Sequence, residues 1–141
     1  LYYPPVERGY CQLDHTADLA LSLWGASEED VLVVGAQAVI EIMTEGAPAG
    51  AATGTREITI DAVDPADRLV QWLNEIIVAA VTEGFLVREA DIELTGDSGL
   101  RARLRGEPDR RVLAELKSAT YHGLVLGPVD GGWRAQVVID V

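Results

Sequence analysis

Cysteine is almost missing from this chain of 141 residues, where Cys11 stands alone. A single thiol excludes an internal disulfide and any multi-cysteine zinc site, and Cys11 is expected to be a small buried apolar side chain. No apolar run reaches the roughly 20 residues of a membrane-spanning helix. The opening "LYYPPVERG" lacks the charged-then-apolar pattern of a secretion signal. Cationic charge is scarce as well: 11 basic residues face 23 acidic ones, for a net charge of −12. That field opposes the basic footprint a phosphate backbone needs, so tight direct binding to RNA or DNA is not expected. The chain has no Gly-rich phosphate loop, no G-x-S-x-G and no H-E-x-x-H. Its two histidines, His15 and His122, could pair as general bases, but no serine or cysteine stands in a nucleophile context. These absences point to a cytoplasmic protein that catalyses no reaction by itself.

What is present is enough for a core: 48% of the residues are hydrophobic and 24% charged, a globular balance without repeats or low-complexity segments. The length suits one domain spanning 1–141. Alternating Leu19, Leu21 and Leu23 predict a first strand from Tyr10 to Trp24, interrupted by Asp14, His15 and Asp18. Ser27 is an N-cap signal with Asp30 in the capping-box position, and it starts a helix to about Thr44 with Leu32, Ala36, Val39 and Met43 on one stripe. "EGAPAGAATGT" reads as a loop and "REITIDA" as a strand.

Asp64–Pro65 is a second helix start, with Leu69, Trp72, Leu73, Ile76, Ile77 and Ala80 on the buried face and Gly84 at the C-cap. "FLVREADIELTG" and "LRARLRGE" form a hairpin through Asp97-Ser98-Gly99. A strand from about Leu116 to Leu126, the turn "GPVDGG" and the strand "WRAQVVIDV" complete the chain. Two helices among several hairpin-joined strands predict an α+β fold. The expected form is a two-layer sandwich on a mixed or antiparallel sheet, not a parallel doubly wound one.

Three constellations carry chemistry. Arg101, Arg103 and Arg105 share one face of a strand. They could grip phosphate or an acidic partner, or form a solvated face whose charges discourage edge pairing, which is the expected reading. Asp14 and Asp18 would share a face of the first strand, about 13 Å apart in a regular strand, too far to chelate one ion together. Asp140 closes an apolar strand one residue before Val141. Its carboxylate and a terminal carboxylate would make a hard-oxygen set suited to calcium, magnesium or manganese, or else a frayed, solvated end.

Three separated stretches resemble one family in the right order. "LDHTADLALSLWG" is similar to the DHTAD opening of archease, "LVQWLNEIIVAAVTEGF" to its central helix, and "ELKSATYHGL…WRAQVVIDV" to its closing lysine–TYH segment and terminal Ile-Asp-Val. "YPPV" near the start resembles the lead-in of some members.

The resemblance implies a small acidic cytosolic α+β protein with a strand–helix–strand–strand module. It would act as a chaperone-like activator of the RtcB-type RNA ligase in tRNA splicing and RNA repair, promoting guanylylation and repeated turnover. A tRNA cytosine methyltransferase is the alternative partner. By the same resemblance Asp18, Asp140 and Val141 would hold a divalent metal, calcium first and manganese or magnesium otherwise. Asp14 would be a neighbour and not a ligand.

Lys117 matches the family's functional lysine, and a compact ammonium fits a pocket beside carboxylates that a planar guanidinium does not. A lysine left by chance is the plain alternative. Two positions depart from the family: "DRRVLAE" lacks a histidine found in many members, and Ser118 replaces a usual alanine or glycine. A metal-dependent hydrolase using Asp18, Asp140 and a histidine base is a competing reading, weakened by the missing nucleophile and phosphate cradle. A metal-binding adaptor for an RNA-modifying enzyme is the other.

Overall fold

Both helix starts form as their side chains dictate. In the computed structural model, which describes residues 7–13 and 18–141, Ser27 adopts extended backbone and its Oγ accepts the Asp30 amide at 3.1 Å. The Asp30 carboxylate reaches back to the Ala26 amide at 3.0 Å. The first bond satisfies an amide left over by the first turn of α1 (Glu28–Met43), and the second ties down the chain just before the cap. Asp64 does the same for α2 (Pro65–Glu83), accepting the Asp67 amide at 2.7 Å, with Pro65 at the first helical position. Gly84 ends α2 in the left-handed region at φ 67°, and the Gly84 and Phe85 amides close on Ala80 and Ala79.

The α+β expectation holds. Its strands divide into two antiparallel sheets instead of forming one. The first sheet holds β1 (Gly9–Leu13), β2 (Leu19–Gly25), β6 (Ser118–Val129) and β7 (Gly132–Asp140) in the order β1-β2-β7-β6. The second holds β3 (Gly54–Asp61), β4 (Leu86–Thr95) and β5 (Gly99–Glu107) in the order β3-β5-β4.

Each helix touches both sheets. This is why burial on α1 extends beyond the predicted stripe to Val31, Val34, Ala38 and Ile40: a helix contacted on two sides has two apolar faces. The predicted stripe of α2 is buried throughout. Trp72 has no exposed surface and donates its indole N–H to the Leu32 carbonyl at 2.7 Å, joining the two helices. Arg68, 3% exposed, ties three elements together. Its guanidinium bonds Glu28 at the start of α1 and donates to the Gly99 carbonyl at 3.0 Å.

Three expectations need correction. The strand predicted from Tyr10 to Trp24 is a pair of antiparallel strands, with Gln12 opposite Leu21 and Leu13 opposite Ala20. β1 ends at Leu13 and β2 starts at Leu19 in the opposite direction, so the single regular strand on which the 13 Å separation rested is not formed. Asp14 and His15, and what the sequence leads one to expect of them, lie outside the described residues.

Cys11 is exposed instead of buried, because β1 is an edge strand and Cys11 alternates away from the core face that carries Tyr10. The "GPVDGG" turn contracts to Asp130 and Gly131, and Gly127–Val129 extend β6. Pro128 is tolerated there because β6 is an edge strand, where one side of the backbone needs no ladder donor.

Candidate functional site

Three strand ends meet at one rim of the first sheet. The β2–β7 ladder runs to Leu19 opposite Ile139, so Asp18 is the residue just beyond the last pair on β2. On the other side of β7, Ser118 pairs with Asp140 as β6 begins. The Lys117 amide donates to the Asp140 carbonyl at 2.9 Å. Asp18, Asp140, Val141 and Lys117, scattered through the sequence, therefore share one end of the sheet.

Strand alternation sets their faces. Leu21, Val137 and Ile139 are fully buried on the helix-facing side. Asp140, and Asp18 in continuation of β2, fall on the outer face, with Ser118 next to Asp140 in the same cross-strand row. The three are half-buried, while Lys117 and Val141 are exposed. Among the described residues, none of the side chains of Asp18, Asp140, Ser118 and Lys117 has a hydrogen-bond or ion-pair partner. The Lys117 side chain therefore does not bridge to either carboxylate; its link to Asp140 is through the backbone. No three His, Cys, Asp or Glu side chains gather among the described residues. The donors at the rim are two carboxylates, main-chain oxygen and a hydroxyl. They are hard oxygens without sulfur or imidazole, a set that fits calcium better than zinc.

Two supports of this rim lie inside the stretches that carry the family resemblance, yet sequence reasoning assigned neither of them a role. Asn74 lies on the rim of α2's buried face, and its Oδ1 accepts the Ala119 amide at 2.7 Å. Its Nδ2 donates to the Ala119 carbonyl at 3.3 Å. Ala119 belongs to an edge strand, and the carboxamide of Asn74 supplies the donor and acceptor that a further strand would have supplied. A signal did exist: an asparagine flanked by buried Trp72, Leu73 and Ile76 needs a nearby polar partner.

Further along β6 the ladder shifts register between Thr120 and Val125, and Gly123 takes φ 63°. This irregularity leaves Tyr121 and His122 exposed. The Tyr121 hydroxyl donates to Asp67, which is 8% exposed in the first turn of α2. That bond, followed by the Val63 amide, holds the Asp67 carboxyl below its ordinary range, and burial only partly opposes them. The same bond raises the tyrosine. His15, and with it the expected pairing with His122, lies outside the described residues.

The arginine ladder is a solvated face. On β5, Arg103 stands between Glu57 of β3 and Asp91 of β4, Arg101 lies 3.7 Å from Glu93, and Arg105 lies 3.2 Å from Glu89. The acidic row Glu89, Asp91 and Glu93 of β4, with Glu57 of β3, neutralises it.

Among the described residues no helix is long and apolar enough to cross a membrane. The profile of the archease protein family matches residues 10–141. The chain is 33% identical to protein archease of Methanopyrus kandleri, covering 92% of this chain and 97% of that one. It is 31% identical to protein archease of Methanosarcina barkeri, covering 94% and 95%. The solution structure of Methanobacterium thermoautotrophicum protein 1598 superposes with a TM-score of 0.75 at 26% identity, over 94% of this chain and 99% of that one. The crystal structure of an archease, possible chaperone, from Thermotoga maritima shares the fold at a TM-score of 0.64 and 21% identity, over 92% and 94%. With the family profile matched over residues 10–141 and these relatives in agreement with the fold, the chain belongs to the archease family.

Proposed function

We propose that this protein is a non-catalytic activator of an RtcB-type RNA ligase, promoting guanylylation of the ligase and its repeated turnover, in the cytoplasm. A divalent cation, calcium, is held by Asp18, Asp140 and Val141, and Lys117 acts beside it. The observation that carries the reading is the convergence of Asp18, Asp140 and Lys117 at one sheet rim. Two half-buried carboxylates at one sheet rim, without sulfur or imidazole beside them among the described residues, are the hard-oxygen chemistry a calcium ion takes. The description of the Thermotoga maritima relative as a possible chaperone agrees in kind. A net charge of −12 argues for contact with the protein partner and against gripping the RNA.

The test is a multiple-turnover ligation assay with a purified RtcB-type ligase, with and without this protein. Each ligase molecule is expected to seal many ends only when the protein is present. Asp18→Ala and Asp140→Ala are expected to lose both the effect and calcium binding by calorimetry. A turnover number that stays the same when the wild-type protein is added overturns the reading. Tight binding of the protein alone to tRNA at physiological salt would contradict the mode of action.

A further inference from the structure

The outer-face row at the rim contains a third oxygen-bearing side chain. Ser118 is the direct cross-strand partner of Asp140. Directly opposed residues of an antiparallel pair project on the same face with Cβ atoms about 4.5–5.5 Å apart. One ion can bridge side chains so placed, since calcium binds oxygens at about 2.3–2.6 Å.

Serine at this position has no structural employment. Among the described residues its hydroxyl bonds nothing. Thr120, two positions along the same strand and on the same face, donates its hydroxyl to the Val138 carbonyl at 3.0 Å. Ser118 is half-buried, and a half-buried hydroxyl without a protein partner lacks part of the solvation it would have in water. Its backbone is held firmly on both sides: the Lys117 amide bonds the Asp140 carbonyl, and Asn74 grips Ala119. The hydroxyl therefore sits beside the carboxylate on a fixed strand.

We infer that Ser118 is an additional oxygen ligand of the divalent cation at this rim, completing the Asp18–Asp140 row with a neutral donor. The inference rests on the proposed metal site and adds to it one side chain of this chain's own. A neutral hydroxyl raises the number of ligands without adding to the repulsion between the two carboxylates. It thus favours calcium, which accepts about 6–8 oxygens in flexible geometry, over magnesium, which demands a strict octahedron and keeps its waters.

The test uses the full chain with calcium by calorimetry and with terbium by luminescence lifetime in light and heavy water, which counts the waters on the ion. The variants are Ser118→Ala, Ser118→Thr and Asp140→Asn, each checked by a thermal melt without metal. Ser118→Ala is expected to melt like the wild type, to bind calcium about tenfold more weakly, and to hold about one more water on terbium, because solvent fills the vacated position. Ser118→Thr retains the hydroxyl and is expected to recover the wild-type water count. If Asp140→Asn abolishes binding while Ser118→Ala leaves affinity and water count unchanged, the inference is wrong and the metal site stands. If the wild-type chain binds neither calcium nor terbium, the metal reading itself fails.

Discussion

Asn74 of α2 and Ala119 of β6 are joined by a two-way hydrogen bond in which the side-chain carboxamide accepts at 2.7 Å and donates at 3.3 Å. This pair fixes the height of the helix against the strand that carries Lys117 and Ser118, and so couples the core to the rim.

Asn74→Ala leaves an amide and a carbonyl of β6 without their partner. The expected cost is about 1–3 kcal/mol, read from urea unfolding. Asn74→Asp keeps the acceptor and loses the donor, so it is expected to fall between. A variant as stable as the wild type would show that solvent satisfies Ala119 equally well and that the clamp is incidental.

Arg68 is expected to be the most sensitive charged position. Replacing it with alanine strands Glu28 without its cation in a half-buried pocket, at a cost of about 3–5 kcal/mol. The double replacement Arg68→Met with Glu28→Leu is expected to recover most of that loss, since apolar side chains of similar volume incur no desolvation of charge. A denaturation series in which the double variant is less stable than Arg68→Ala would refute this account.

Tyr121→Phe probes the bond to Asp67 through pH. The folded-state carboxyl of Asp67 lies below its ordinary value of 3.8, chiefly through Tyr121. The stability it contributes is therefore present above the unfolded value and lost as pH falls through the folded one. The folded-state tyrosine lies above its ordinary value of 10.0. Its contribution is present below that value and is lost as pH rises through the folded one. The wild type is expected to exceed Tyr121→Phe by roughly 1 kcal/mol between about pH 5 and 8. That gap should close in acid below the carboxylate range and again in alkali above the tyrosine range. A gap independent of pH at both ends would mean that the hydroxyl acts by packing alone.

Lys117→Arg should separate charge from shape. The side chain is exposed and unpaired among the described residues, so the substitution is expected to change stability by less than about 0.5 kcal/mol. Multiple-turnover guanylylation of the ligase is nevertheless expected to drop, because a guanidinium spreads its donors over a plane and cannot act as a compact point charge. Full activation by the arginine variant would show that any cation suffices at this position.

Local signals determined the elements. Ser27 and Asp64 mark helix starts by accepting amides three residues on, Pro65 by its fixed φ and Gly84 by its left-handed φ, and periods of two and 3.6 mark faces whatever the partner. The family motifs likewise point to Asp18, Asp140, Val141 and Lys117 as the proposed site, and the α+β class follows from element order.

Long-range pairing decided the rest. That Tyr10 and Trp24 lie on opposing strands depends on cross-strand register, because a hairpin and an interrupted strand share the same alternation. The second apolar face of α1 arises from the arrival of a second sheet, which no single helix encodes. Whether Arg103 is a phosphate grip or a neutralised face turned on Glu57 and Asp91 arriving from two other strands. Asn74 and Ser118 gained their places for the same reason. An asparagine on a helix and a serine on a strand are individually unremarkable, and only the fold brings one to Ala119 and the other to Asp140.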